Sequence, residues 1–420
     1  MKIKSIKSYE VLASGGYPSL ETRVELESGA VGIASVPYGV SAGSHEATVL
    51  LDGDMDRYNG KGMLKAITNV NDIIAPEIIG MDANDQVKID HKMIEMDGTE
   101  NKEKLGGNAI LSVSLAVAKS MANQKKVGLY KHVKEVFEID NNFSTLPQPM
   151  MVVIEGGKHA DETTDLQEYC ISAISADSVK EGVRHVIESY HALKKILKKN
   201  KLSTNVGNEG AFAPNGIPSN EAPFEYIVEA IKSAGYEPGK DLGISVDAAA
   251  TEFYQDNKYN LAIENKQLTS EELTAYYEEW FKKYPLVTFE DGHDEDDWEA
   301  WPKMLKLCEK YHIELIGDDI TVTNIKRLQK AIDQKAISSI LIKLNQIGSL
   351  TETVETCMLA REHNMMTVFS HRGGGETNDA AMVDVAVAVG SGFIKVGPTR
   401  GERISKYNRL MEIERELGNK

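Results

Sequence analysis

Cysteine is scarce in this chain: Cys170, Cys308 and Cys357 are the only three in 420 residues. They are scattered and odd in number, with no CxxC or other metal-ligand spacing. That excludes a disulfide framework and a thiolate metal site, and it suits free thiols in a reducing compartment. Long apolar runs are also lacking, none approaching the roughly 18 residues needed to span a bilayer. The opening MKIKSIKSYEVL alternates like a strand and has no signal-peptide apolar core. A cytoplasmic location without a membrane span is expected. Positive charge is in deficit, with 47 Lys+Arg against 64 Asp+Glu and a net charge of −17. Such a balance argues against nucleic acid as a partner. The basic run KKILKKNK at 194–201 ends a helical pattern, where cations offset the helix dipole, and reads as solvated surface. Neither a short-period repeat nor a low-complexity segment is present. What remains is an ordinary soluble composition, 41% hydrophobic, long enough for more than one domain.

The informative pattern lies in the second half. SSILIKLNQIG, 338–348, is a short apolar run of buried-strand type with Lys343 in its middle, where burial disfavours charge. Similar runs flank it. LGISVDAAA carries Asp247, LVTFEDG carries Glu290, IELIGDDIT carries Asp318 and Asp319, MMTVFSHRGGGE carries His371 and Arg372, and GFIKVGPTRGER carries Lys395. Glu290, Asp318, Lys343, His371 and Lys395 follow one another at intervals of 28, 25, 28 and 24 residues. Each interval holds an amphipathic helical segment, the rhythm of βα units. In a barrel such strand ends converge on one face, where active sites sit.

Residues 1–137 do not follow this rhythm. Strand patterns over 3–12, 20–26 and 31–36 precede helical patterns at 62–75, 84–96 and 108–126, which predicts a separate α+β domain. FEIDNNFSTLPQPM, 137–150, has the composition of a linker. The second domain, 138–420, opens with two strand-like runs, PMMVVIEGG and LQEYCISA, too close together for a helical crossover and so expected to pair antiparallel. Helical segments at 177–200 and 219–236 follow before the regular alternation begins at Leu242. The fold expected is α/β: a (β/α)-type barrel opening ββαα, with a smaller N-terminal α+β domain.

The chemistry follows from residue type. Asp247, Glu290 and Asp318 end three successive strands, and hard oxygen ligands without cysteine favour Mg²⁺ or Mn²⁺. The acids at 294–297 are instead expected in a helix first turn. Lys343 and Lys395 share the mouth, and near a divalent metal their mutual repulsion would lower a lysine pKa toward that of a general base. A neutral amine there could remove a proton α to a carboxylate, with the metal holding the resulting charge. Glu168 or Glu209 could act as acid from the opposite side; alone, each is an unremarkable glutamate, and His159 is more often structural. Arg372 before Gly373, Gly374 and Gly375 suits a phosphoryl group, by guanidinium fork and backbone N–H groups. VPYGVSAGSHEA, 36–47, has the look of a lid that could bring Ser41 as a further ligand.

With these residues in place the chain resembles enolase over nearly its whole length, in NVNDIIAPEIIG, GGNAILSVSLAVAK, LYKH, LQEY, EDDWEAW, GDDITVTN, LIKLNQIGSLTET, SHR and IKVG. The resemblance implies an eight-stranded barrel opening ββαα under a small N-terminal domain. It implies reversible dehydration of 2-phospho-D-glycerate to phosphoenolpyruvate, the phosphopyruvate hydratase step of glycolysis, with two Mg²⁺. Lys343 matches the base, Glu209 the acid and Glu168 its neighbour. Asp247, Glu290 and Asp318 match the first metal site and Ser41 the second. His371 and Lys395 match substrate-binding positions, Arg372 the phosphate contact, and His159 and Gln167 the neighbouring shell. A homodimer or dimer-based octamer is implied as well.

Departures from the family pattern are local. DSRGNPTVE is ASGGYPSLE here, near the family's dimer contact. SGAST in the lid is YGVSA, and NGGSHAG is EGGKHAD, which adds Glu155, Lys158 and Asp161 near the mouth. GDEGG is GNEGA, EDPF is EDGH, and SHRSGET is SHRGGGET, with Gly373 in place of a phosphate-binding serine. Losing that hydroxyl would cost about 1–2 kcal/mol of phosphate binding unless backbone N–H groups compensate. Two other readings stand beside the first. One is a lyase of the same superfamily acting on a non-phosphorylated hydroxy acid. The other is surface display with plasminogen capture, for which the terminal Lys420 is the recognised type of residue.

Overall fold

The computed structural model describes residues 1–39 and 43–418. Strands β1 (Ile3–Leu12), β2 (Pro18–Leu26) and β3 (Val31–Ser35) form an antiparallel meander. Alternation along β2 buries Leu20, Thr22, Val24 and Leu26 on one face. Helix Gly107–Lys125 covers that face, and its Ser112 hydroxyl meets that of Thr22 at 2.7 Å. The helix is buried on nearly every side because the barrel lies against its other face, where the Leu350 N–H donates to Ser114. The other expected helices form at Gln86–Asp97 and as a continuous run from Leu64–Thr68 through wider turns to Ala75–Ile78. Leu129–Val136 is a short helix that the sequence pattern missed.

Strands β4 (Gln148–Glu155), β5 (Glu168–Ala173), β6 (Leu242–Asp247), β7 (Leu286–Glu290), β8 (Glu314–Gly317), β9 (Ser339–Ile342), β10 (Met366–Ser370) and β11 (Phe393–Val396) close into a barrel in chain order. β5 runs antiparallel to β4 and β6, and the remaining neighbours are parallel. Helices Val179–Lys199 and Ala222–Ser233 then precede β6, giving the ββαα opening. Reversal of β5 matters for function. Its first residue, Glu168, stands at the mouth where the other strands end, in register with Glu155 and Asp247, and Asp247 is in register with Glu290.

Two local expectations are corrected. The 338–348 run is strand only over Ser339–Ile342; Lys343 caps a helical turn, Leu344–Ile347, which lifts its amine toward the mouth. The acids at 294–297 are not in a helix first turn. Helix Trp301–Lys310 starts seven residues after Asp294, with Pro302 in its own first turn, and proline is tolerated only there. The basic side chains of 194–199 are exposed, as expected.

Asp90, fully buried, helps clamp the two domains together. Its Oδ2 accepts the N–H and hydroxyl of Thr351 at 3.0 and 2.7 Å, and its Oδ1 accepts from Gln86. Burial pushes this carboxyl up to about 6, against the pull of Thr351, Ser114 and Gln86. A carboxyl raised on folding adds stability below its unfolded value and loses it as pH rises through about 6. Thr351→Val should therefore cost about 1–3 kcal/mol in thermal or denaturant unfolding, more at pH 8, where Asp90 is charged, than at pH 5.

Candidate active site

Every barrel strand brings a titratable side chain to, or one residue beyond, the same end: Glu155, Glu168, Asp247, Glu290, Asp318, Lys343, His371 and Lys395. Lys395 is the hub. Its ammonium, 2% exposed, lies 2.7 Å from Glu168, 3.0 Å from Asp247 and 2.8 Å from Glu290. Burial opposes that charge, yet the surrounding carboxylates hold its pKa well above the ordinary lysine value. Glu290 is pushed well above the carboxylate range by burial and by Asp247.

Lys343 forms an ion pair with Asp318 Oδ2, while Gln346 donates to Asp318 Oδ1 at 2.7 Å. The lowered lysine pKa is expected beside a divalent metal; the protein's own groups set the opposite direction at Lys343. Burial does disfavour the Lys343 cation, but direct contact with Asp318 outweighs burial and raises the pKa. Asp291, which the sequence reading passed over, holds the backbone N–H groups of Asp318 and Asp319 at 2.9 Å each. Backbone strain gathers just beyond the acids. Ala249, Asp291, Val322 and Thr323 all have positive φ, which is costly for β-branched residues. The strained Thr323 accepts the Lys343 N–H at 2.9 Å and donates to Gln346 at 2.8 Å, so it fixes both.

Across the mouth, His159 Nδ1 lies 3.3 Å from Glu168 and 3.5 Å from Glu209, and His371 Nε2 lies 3.2 Å from Glu209. Burial works against the His159 cation, but Glu209 and Glu168 lift its pKa to about 9. Glu209 is held well below the usual range, since His371 and His159 outweigh its burial. In this pair the proton resides on His159. Arg403 donates to His371 Nδ1 at 2.6 Å; an arginine cannot accept, so the ring proton sits on Nε2, toward Glu209. Gln167 is 7% exposed, and its Oε1 has no hydrogen-bond partner among the described residues. Glu155 ends its strand at the mouth, level with Glu168, as expected, but its carboxyl does not open onto it. It is fully buried beneath Glu209, and burial, then Glu209, pushes it up to about 8. Lys158 instead pairs with Glu252, and Asp161 is exposed.

Arg372, 2% exposed, donates to both oxygens of Glu46 at 3.0 and 2.9 Å. Sequence reasoning missed Glu46, because the two lie 326 residues apart. The glycine loop also differs from expectation. Gly374 and Gly375 form a two-residue antiparallel bridge with Gly39 and Tyr38, so this part of the loop is already engaged by the first domain. A Cβ on Gly373 would lie 2.7 Å from His159 Nε2 and 2.9 Å from Glu209 Oε1. Position 373 has no room for a side chain while those two residues keep their places. Ser41 lies outside the described residues, but the segment after it is pinned: Ser44 donates to Glu295, and the Ala47 N–H to Gln346.

A family model of the enolase N-terminal domain matches residues 3–133, and one of the enolase C-terminal TIM barrel domain matches residues 143–420. The chain belongs to the enolase family. It is a lyase of the enolase superfamily acting on a small-molecule substrate. None of its described helices is long and apolar enough to cross a membrane.

Enolases bind Mg²⁺, and the donors here suit a hard cation. Asp291, Asp318 and Asp319 offer oxygens within 4.8 Å of one another, and Asp247 and Glu290 share Lys395. Asp291 and Asp319 are pushed well above the carboxylate range by burial, then by Asp318. Such crowding disfavours charging all of these carboxyls at once, and a bound divalent cation would relieve it. Mg²⁺ or Mn²⁺ should therefore raise the melting temperature, the gain reaching about 2.7 kcal/mol at a hundredfold excess over Kd. A chelator should reverse the shift and Asp318→Ala should remove most of it, as scanning calorimetry would show.

Proposed function

We propose that this enolase dehydrates 2-phospho-D-glycerate to phosphoenolpyruvate, as in glycolysis. One observation carries the reading: Lys343 and the His159–Glu209 pair flank a single mouth filled between them by Asp318, Glu290, Asp247 and Lys395. Lys343 Nζ takes the C2 proton. The C3–O bond then breaks, and the departing hydroxyl leaves as water with a proton from the His159–Glu209 pair, which Glu168 and His371 orient. Lys395 offers its cation to the substrate carboxylate, Arg372 to the phosphate, and Gln167 and His159 line the approach. Asp247, Glu290 and Asp318 would hold Mg²⁺, with Ser41 for a second ion. That charge would stabilise the electrons left at C2 and satisfy Asp318, relieving the contact that keeps Lys343 protonated. Family membership also motivates proposing a cytoplasmic homo-oligomer. Plasminogen capture rests on Lys420, outside the described residues.

Purified protein with Mg²⁺ should form phosphoenolpyruvate from 2-phosphoglycerate. Lys343→Ala should lower turnover by about 10²–10⁴-fold and abolish exchange of the C2 hydrogen with D₂O. Glu209→Gln should slow dehydration while C2 exchange persists. No product from the wild-type protein would end this reading.

The Arg372–Glu46 pair and the lack of a hydroxyl at 373 favour a second reading, a non-phosphorylated hydroxy acid as substrate. A panel of such acids without product would remove it. Gly373→Ser separates sequence logic from geometry. Restoring the family's serine should improve phosphate binding on sequence grounds. The collision with His159 predicts the reverse, a loss in kcat/KM of about tenfold or more.

A further inference from the structure

Glu155 is the last residue of β4 and fully buried. Its carboxyl is spent on the backbone of the loop that carries Glu209. Oε1 accepts the N–H of Glu209 at 3.1 Å and of Ala211 at 2.9 Å, and Oε2 accepts the Glu209 N–H at 3.1 Å. The loop wraps closely around this carboxyl: a Cβ on Gly207 would lie 2.5 Å from its carbon. Two of the loop's carbonyls are also held from outside it. Tyr190 and Thr399 donate to Gly210 O at 3.1 and 2.7 Å, and Arg400 donates to Gly207 O at 2.7 Å. Inside the loop the Gly207 N–H donates to Ala211 O and the Gly210 N–H to Gly207 O, which leaves the N–H groups of Glu209 and Ala211 to Glu155.

We propose that Glu155 is a positioning residue for Glu209: by gripping the N–H groups of Glu209 and Ala211 it sets where the Glu209 carboxyl meets His159 and His371. It touches no substrate and acts only through Glu209. The proposal rests on Glu209 serving proton delivery to the leaving hydroxyl, and it assigns a use to a carboxyl that the family motif does not carry at this position.

The test compares wild type with Glu155→Ala and Glu155→Gln, the latter keeping one acceptor oxygen. The first readout is amide hydrogen exchange, which needs no activity. In Glu155→Ala the amides of Glu209 and Ala211 should exchange about 10- to 100-fold faster, while the barrel strands keep their protection. The second readout sets dehydration against C2 hydrogen exchange in D₂O. Dehydration kcat should fall by a comparable factor with KM little changed and C2 exchange retained, and Glu155→Gln should recover part of both losses. Unchanged amide exchange in both variants overturns the proposal. Loss of C2 exchange in step with dehydration does so too, because it shows a general structural role. If wild type does not dehydrate 2-phosphoglycerate at all, the functional reading fails, and amide exchange still decides whether Glu155 holds the loop.

Discussion

A single buried ammonium, that of Lys395, lies against three carboxylates contributed by three different strands. None of these charges would be stable in the interior alone, because desolvation of an isolated ion exceeds anything a distant partner returns. They are mutually dependent. Closure of the barrel in strict chain order brings Glu168, Asp247 and Glu290 into one register, and β11 supplies the cation. The reversal of β5 belongs to the same requirement. A parallel strand at that place would carry its first residue to the opposite end and leave Lys395 short of one counter-charge.

Around this hub a second set of groups holds backbone and ring orientation. Asp291 grips the amides of Asp318 and Asp319, Thr323 the amide of Lys343, and Arg403 the imidazole of His371. Asp291 and Thr323 sit in strained backbone, which persists only where surrounding contacts over-determine it. The N-terminal domain takes part as well. Glu46 reaches Arg372, and Tyr38–Gly39 pairs with the glycine loop, so the Arg372 side of the mouth is built from both domains.

Much of this architecture could be read before any coordinates. Strand ends at Asp247, Glu290 and Ser370, the paired opening strands and the N-terminal meander all follow from local patterns whose period is a few residues. The errors share a cause. The lowered pKa expected of Lys343 beside a metal and Lys395 leaves out Asp318, the carboxylate its ammonium meets in space. Glu155 stands at the mouth end as its place in the sequence suggests, but the Glu209 loop folds over its carboxyl. Gly373 looked like a lost phosphate contact, and the reason no side chain fits there is the position of His159.

What the chain determined by itself is the inventory and its spacing: alternating strands and helices, each strand delivering one titratable residue to a common end. Periodicity encodes that, because side-chain direction along a strand or helix is a local property. Which of those charges touch was decided only by closure, since Glu46 and Arg372, or Lys395 and Asp247, are far apart along the chain and meet across the barrel. Protonation states were decided there too, because they depend on the nearest charge and the depth of burial. Neither quantity is carried by sequence order.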